Sequence, residues 1–323
     1  MAYKVFDTIS MDTKEMRAYY VDYMLEMGKA NPNIVDVEAD LMRAMNLFEL
    51  KKQLPNQCID CGIQEANMYS VSAGLSSVGK IPFAHTFACF ATRRGFDQIY
   101  LSCAYAGHNV KIVGSDPGIT TEINGGTHMS FCDVSLMRSI PHMTIVEPTD
   151  STMLKDMLEK ARDTKGMFYL RLYRKKIPLV YEPGSTFELG KAALVRDGKD
   201  VSVIANGMMV SEAIKASDIL KREGISVRIY DMFTIKPLDE ETVLAAAKET
   251  GAIVTAENHS VLGGMGSTVA ECLMENGACV PFHRVGLPDE FGEVGKMDYL
   301  QPHFGISSDN LVKAIREVVA KKK

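Results

Sequence analysis

Residues 60–68, Asp-Cys-Gly-Ile-Gln-Glu-Ala-Asn-Met, place one carboxylate, Glu65, at the mouth of a helix of small residues. Two phenylalanines, Phe87 and Phe90, follow in a short apolar segment. A lone acid beside flat apolar rings suits binding a protonatable heteroaromatic ring and exchanging a proton with it. A carboxyl group drawn partly out of water has a raised pKa, so Glu65 is expected to hold a proton near neutrality. The plainer alternative for Glu65 is a first-turn acid that complements the helix dipole. For Phe87 and Phe90 it is ordinary core, since positions i and i+3 share one helix face. No phosphate-cradling glycine loop and no divalent-metal carboxylate motif accompanies the acid, so the chain reads as half of an active site.

The elements that must position these groups alternate between strand and helix. Met16, Tyr20, Met24 and Met27 recur at helical spacing over 13–30, with Asp12 or Thr13 as the N-cap. Strands are expected at 33–38, 57–60, 81–85, 110–114, 143–146 and 167–170, and helices at 65–78, 87–102, 134–139 and 150–163. This alternation implies an α/β fold with a mainly parallel sheet. The pattern breaks at 174–190, which holds two prolines and two glycines, so a linker is placed there. A second α/β series follows over 191–323, with 289–305 loop-like. The expected organisation is two doubly wound units, 1–173 and 191–323.

Composition narrows the class. Hydrophobic content of 46% and charged content of 24% belong to an ordinary globular chain, and a net charge of −5 leaves no footprint for nucleic acid. No apolar run approaches the ~18 residues of a membrane span, and the N-terminus has no apolar signal segment. Seven cysteines, an odd number, point to free thiols in a reducing cytoplasm. Cys58-Ile59-Asp60-Cys61 has CxxC spacing without a second ligand pair and reads as buried thiols. Gly263-Gly264-Met265-Gly266 follows a strand but lacks the acid about 20 residues on that a dinucleotide site needs, so it reads as close backbone packing.

The run Gly62-Ile63-Gln64-Glu65-Ala66-Asn67-Met68 resembles the pyrimidine-binding domain of transketolases, which use thiamine diphosphate. The likeness continues through Ala73-Gly74-Leu75, Thr86-Phe87, Phe90, Phe96-Asp97-Gln98-Ile99, Gly126-Thr127-His128 and the run from Leu136 to Met143. It covers nearly the whole chain but only the C-terminal half of a full-length transketolase, as in the split members of that family. It implies a pyrimidine-binding domain over 1–173 and a transketolase C-terminal domain over 191–323.

The resemblance also implies roles. Glu65 would bond the aminopyrimidine ring of the cofactor, Phe87 and Phe90 would wall it, and Asp40 would lie near the thiazolium where two subunits meet. His128 would contact the donor sugar's hydroxyls. Arg17 and Arg174 would grip the substrate's terminal anion, a task that suits the planar fork of guanidinium. The chain also departs from the family pattern. Arg93 stands where an aromatic residue is usual, Asn124 where an Asp checks hydroxyl stereochemistry, Asp116 where a His contacts phosphate, and Ala44 where a Ser contacts phosphate. Asn124 implies a relaxed or altered sugar preference, and the changes at Asp116 and Ala44 leave the anionic tail open between phosphate, sulfonate and carboxylate.

The diphosphate and Mg2+ would be held by a Gly-Asp-Gly segment and a downstream Asn, absent here, on an N-terminal transketolase subunit, in an α2β2 heterotetramer. The expected reaction is transfer of a two-carbon ketol unit from a ketose to an aldose. Two other readings remain, the β subunit of a thiamine-diphosphate-dependent 2-oxoacid dehydrogenase and a non-catalytic scaffold.

Overall fold

The computed structural model describes residues 2–322. The first helix, Met16–Ala30, buries Met16, Tyr20, Met24 and Met27, the face its spacing predicts. It starts without a side-chain cap. Asp12 is engaged elsewhere, accepting from the Lys14 amide at 3.1 Å and from Ser151 Oγ at 2.7 Å.

A seven-stranded sheet runs in the order Thr234–Lys236, Thr144–Val146, Phe168–Leu172, Lys111–Ser115, Ile81–Phe87, Ile34–Glu38, Cys58–Asp60. Every neighbouring pair is parallel except the antiparallel edge made by Thr234–Lys236. The central strands Ile34–Glu38, Lys111–Ser115 and Phe168–Leu172 are buried throughout, as a parallel sheet covered on both faces requires. From Ile34–Glu38 the chain steps to one edge at Cys58–Asp60, then returns to the other side at Ile81–Phe87. That reversal opens a crevice at the carboxyl ends of these strands, where parallel α/β sheets bind their ligands.

The second sheet has five strands, in the order Phe282–Leu287, Ile253–Ser260, Val201–Ala205, Val227–Asp231, Ala193–Arg196, all parallel but the last. The chain is therefore α/β throughout, with mainly parallel sheets. Thr234–Lys236 leaves the later part of the sequence to join the first sheet, pairing with Thr144–Val146. Within 174–190, Pro178–Tyr181 forms a strand antiparallel to Val5–Met11. Asp150 fixes it, accepting from the Val180 and Tyr181 amides while capping the helix Ser151–Asp163 through the Met153 amide at 2.9 Å. The segment 289–305 is not all loop, since it contains the helix Met297–His303.

A buried polar hub joins the two sheets. Arg171, fully buried, donates to Asp133 at 2.7 and 3.2 Å, to Glu147 at 2.5 Å and to the Asn258 carbonyl at 3.0 Å. Asn206 Nδ2, from the second unit, also donates to Glu147 at 2.8 Å. Buried charges are tolerated only when paired and hydrogen-bonded, and this guanidinium, carried on the first sheet's strand Phe168–Leu172, reaches a carbonyl on the second sheet's strand Ile253–Ser260.

Candidate active site

The carboxyl ends of the parallel strands gather the residues of interest. The loop after Cys58–Asp60 leads into the helix Glu65–Ser77. Asp60 Oδ1 organises that turn, accepting from the Asp40 amide at 3.0 Å and the Gly62 amide at 2.9 Å. Phe87 ends its strand, Asp116 immediately follows Ser115, and Arg174 follows Leu172 by two residues. The Asp116 amide donates to the Leu172 carbonyl at 2.8 Å, so the last two are neighbours.

Glu65 is 2% exposed and stands at the first position of its helix. It is not the lone acid that its local sequence suggests. Arg94 Nη1 donates to both carboxylate oxygens, at 2.8 and 3.0 Å. The same guanidinium lies 4.4 Å over the Phe90 ring, and the arginine side chain is half-exposed. A planar cation thus stacks on an aromatic face while pairing with a buried carboxylate. A protonatable amino-heterocycle would make the same two contacts, and a half-exposed arginine can move aside for it. The residues present therefore fit an aminopyrimidine ring.

Phe87 and Phe90 pack edge to face, with centroids 6.0 Å apart. The His128 ring meets both edge-on, 5.7 Å from Phe87 and 5.2 Å from Phe90. Contrary to what the spacing alone predicts, the two phenylalanines do not share one helix. The strand Ile81–Phe87 is held between two parallel neighbours and extends to Phe87, while Phe90 opens a wide-turned π-type segment, Phe90–Arg94. Such π-turns recur at functional sites. This one carries Arg94 back over Phe90 toward Glu65. His128 Nδ1 lies 2.9 Å from Thr127 Oγ1 and the His128 amide donates to the Gly125 carbonyl at 3.0 Å, fixing its loop.

Arg174 continues the run of contacts. Its guanidinium lies 4.7 Å over the Phe87 ring, and its Nε pairs with the Asp116 carboxylate. Asp116 is 1% exposed and adopts φ +53°, a left-handed conformation uncommon outside glycine. Burial pushes its carboxyl up to about 6, against the lowering pull of Arg174. Asn258 braces the adjoining turn, its Oδ1 accepting from the Ile119 amide at 3.1 Å and its Nδ2 donating to the Pro117 carbonyl at 3.0 Å. Gly118 sits between them at φ +59°, where a Cβ would meet Asn258 Oδ1 at 2.1 Å. Glycine is needed there.

Arg17 adjoins Arg174 through the backbone, its amide donating to the Arg174 carbonyl at 3.3 Å. Its side chain turns to Glu15 at 2.7 Å and to the Ala44 carbonyl at 2.5 Å. Asp40, at φ +60°, and Asn124 stand exposed, outside this run of contacts, as does Arg93. Beneath the site a buried polar cluster lies on the sheet. His85 Nδ1 is 2.7 Å from Glu38 Oε1, and Cys58 Sγ is 3.3 Å from Asp36 Oδ2. Burial holds the His85 imidazole down to about 4 and raises both carboxyl groups.

Sequence reasoning missed Arg94, Arg171 and Asn258. Arg94 directly follows the departure at Arg93, but nothing local signals its pairing with a residue 29 positions earlier. The two glycines before Met265 do serve packing. Glu257 accepts from the Met265 and Gly266 amides at 2.7 and 2.9 Å, and a Cβ at Gly264 would fall 2.1 Å from its Oε2. All seven cysteines are free thiols, and among the described residues no helix is long and apolar enough to cross a membrane.

Comparison with known proteins fits this architecture. The family model of the transketolase pyrimidine binding domain matches residues 12–180, and that of the transketolase C-terminal domain matches residues 190–311. A 6-deoxy-6-sulfo-D-fructose transketolase subunit, SqwH, from Clostridium sp. (strain MSTE9) is 49% identical over 97% of this chain and 97% of its own length. One of the subunits of the apulose-4-phosphate transketolase of Phocaeicola vulgatus is 37% identical over 94% of this chain and 97% of its own. A solved split gene transketolase, described as an inactive β4 tetramer, aligns with TM-score 0.87 at 38% identity, covering 96% of this chain and 99% of that one. The chain belongs to the transketolase family. Within it, this protein is of the split-gene C-terminal kind, carrying the pyrimidine-binding and C-terminal domains, and these relatives favour that assignment over the β subunit of a 2-oxoacid dehydrogenase.

Proposed function

We propose that this chain, docked to an N-terminal subunit, transfers a two-carbon ketol unit from an anionic ketose to an aldose with thiamine diphosphate. The observation that carries this is the buried Glu65 carboxylate gripping a planar cation against Phe90. Thiamine diphosphate, when bound, supplies a carbon acid that adds to a ketose carbonyl and an electron sink for the C–C bond that breaks. Glu65 would hold a proton at the nitrogen of its pyrimidine ring. Phe87 and Phe90 would flank that ring and exclude water, stacking contributing about 0.5–1.5 kcal/mol per pair. His128, edge-on to both phenylalanines, would hydrogen-bond the donor's hydroxyls. Arg174, with Arg17 beside it, would hold the anionic tail.

The chain has no Gly-Asp-Gly segment, so the diphosphate and Mg2+ are proposed to be held by the N-terminal subunit in an α2β2 assembly. Asp40, exposed beyond the strand Ile34–Glu38, would face that partner near the thiazolium. Asn124, exposed at the end of its turn, would meet the donor sugar. The cytoplasm is the proposed compartment.

Two relatives are described as acting on 6-deoxy-6-sulfofructose and apulose 4-phosphate, both ketoses with an anionic group. The test combines this chain, a Gly-Asp-Gly-bearing N-terminal subunit, thiamine diphosphate, Mg2+, 6-deoxy-6-sulfofructose and glyceraldehyde 3-phosphate. Mass spectrometry should find a four-carbon sulfo-aldose together with a five-carbon ketose phosphate. Decarboxylation of a 2-oxoacid without ketol transfer would overturn the proposal.

A further inference from the structure

The cleft beside Arg174 is nearly charge-balanced. Its volume is about 190 Å³ and it lies between the two α/β units. Its ionic lining consists of four cations, Arg174, Lys175, Lys176 and Lys215, against three carboxylates, Asp116, Glu122 and Glu212. Lys175 pairs with Glu122 at 2.6 Å and Lys215 with Glu212 at 2.7 Å, while Arg174, the most buried cation, pairs with the buried Asp116. The lining keeps a single net positive charge.

A tail with one negative charge finds one counter-charge in such a cleft. A phosphate monoester dianion brings a second charge that the lining does not balance, since Arg17 beside Arg174 is already paired with Glu15 at 2.7 Å, and it faces the buried Asp116, where the effective dielectric is lower than in water. Specificity is often built by such a repulsive element rather than by added attraction. We infer that Asp116 is a specificity-determining residue that, through its pair with Arg174, selects ketoses whose tail carries one negative charge, sulfonate or carboxylate, over phosphate esters. This rests on the ketol-transfer reading and on Arg174 as the anion-holding residue.

Asp116 is faced by Arg174 and Lys175 from the segment after Phe168–Leu172 and by His85 from the strand Ile81–Phe87. Burial keeps His85 uncharged near neutral pH. A phosphate monoester loses its second proton near pH ~6, whereas a sulfonate keeps one charge throughout. The discrimination is therefore largest at pH 8 and shrinks as the pH falls toward 5.5, where the phosphate becomes a monoanion and Asp116 protonates.

The experiment compares kcat/KM of the reconstituted complex for 6-deoxy-6-sulfofructose, fructuronate and fructose 6-phosphate at pH 5.5–8. Wild-type enzyme should prefer a singly charged donor at pH 8, and the sulfonate and carboxylate arms tell which tail shape is accepted. Asp116→Asn keeps an oxygen toward Arg174 but drops the charge. It should narrow the preference by about tenfold or more, chiefly through a lower KM for fructose 6-phosphate. Should that variant fail to fold, inhibition of the wild-type complex serves instead, methyl phosphate gaining more potency than methanesulfonate as the pH falls, because only the phosphate also loses a charge. A ratio unchanged within about twofold in Asp116→Asn, a wild-type preference for the phosphate at pH 8, or methyl phosphate inhibition flat with pH would overturn the inference and leave ketol transfer standing. Absence of transfer from all three donors would overturn the functional reading itself.

Discussion

Replacing Arg171 with methionine would remove the cation at the seam of the two sheets. Methionine matches much of the volume, so packing loss is small and the charge effect dominates. Arg171 and both of its carboxylate partners, Asp133 and Glu147, are 0% exposed, and the guanidinium makes four contacts to them and to the Asn258 carbonyl. The substitution leaves two carboxylates close together without a cation. Breaking a buried pair in this way costs about 3–5 kcal/mol, a large part of a total stability of about 5–15 kcal/mol.

At about 2 °C per kcal/mol for a chain of this size, the expected fall in melting temperature is about 6–10 °C at pH 8 by scanning calorimetry. The pH dependence carries a further check. In the native chain burial acts to raise the Asp133 carboxyl, but Arg171 and His259 outweigh it and hold the carboxyl below its ordinary value of 3.8. That group therefore contributes stability above pH ~4, and the contribution is lost as the pH falls through its folded value. Without Arg171, burial raises the same group above its unfolded value, and protonation then relieves the variant as the pH falls from 8 toward 5. The stability gap between native and variant chains should narrow over that range. A fall of less than about 2 °C, or a gap that widens on acidification, would refute the reasoning. Asn258 also braces the turn after Asp116, so the variant should show a raised KM for the donor.

Two further outcomes follow from the site. Glu65→Gln should lower ketol transfer by about 10²–10⁴-fold in the reconstituted complex while shifting the melting temperature little, and full activity would remove Glu65 from proton exchange. Arg94→Ala frees both the Glu65 carboxylate and the Phe90 face. If Arg94 occupies the ring's place at a cost of about 1 kcal/mol, thiamine diphosphate should bind the complex about fivefold more tightly by calorimetry, and unchanged affinity would show that Arg94 does not compete.

Much of this protein is legible from local pattern, because period and composition report which faces must be buried. The Met16, Tyr20, Met24 and Met27 stripe marks a helix face, and the alternation of short apolar runs with helical patterns implies parallel sheets. Glu65 at a helix mouth and the paired phenylalanines already point to a flat, protonatable ligand. Tertiary structure decides which groups meet. Phe87 lies on the strand rather than the following helix because two parallel neighbours extend its hydrogen-bonded ladder. Arg94 reaches Glu65 only because a π-type turn swings it back over Phe90. Thr234–Lys236 crosses into the first sheet, and Arg171 finds partners from both units. Asp116 stands among substituted positions in the sequence, but its role as counter-charge to Arg174 depends on two strands ending side by side. Periodicity encodes burial residue by residue, whereas the pairing of charges is set by contacts between distant segments, which no local pattern records.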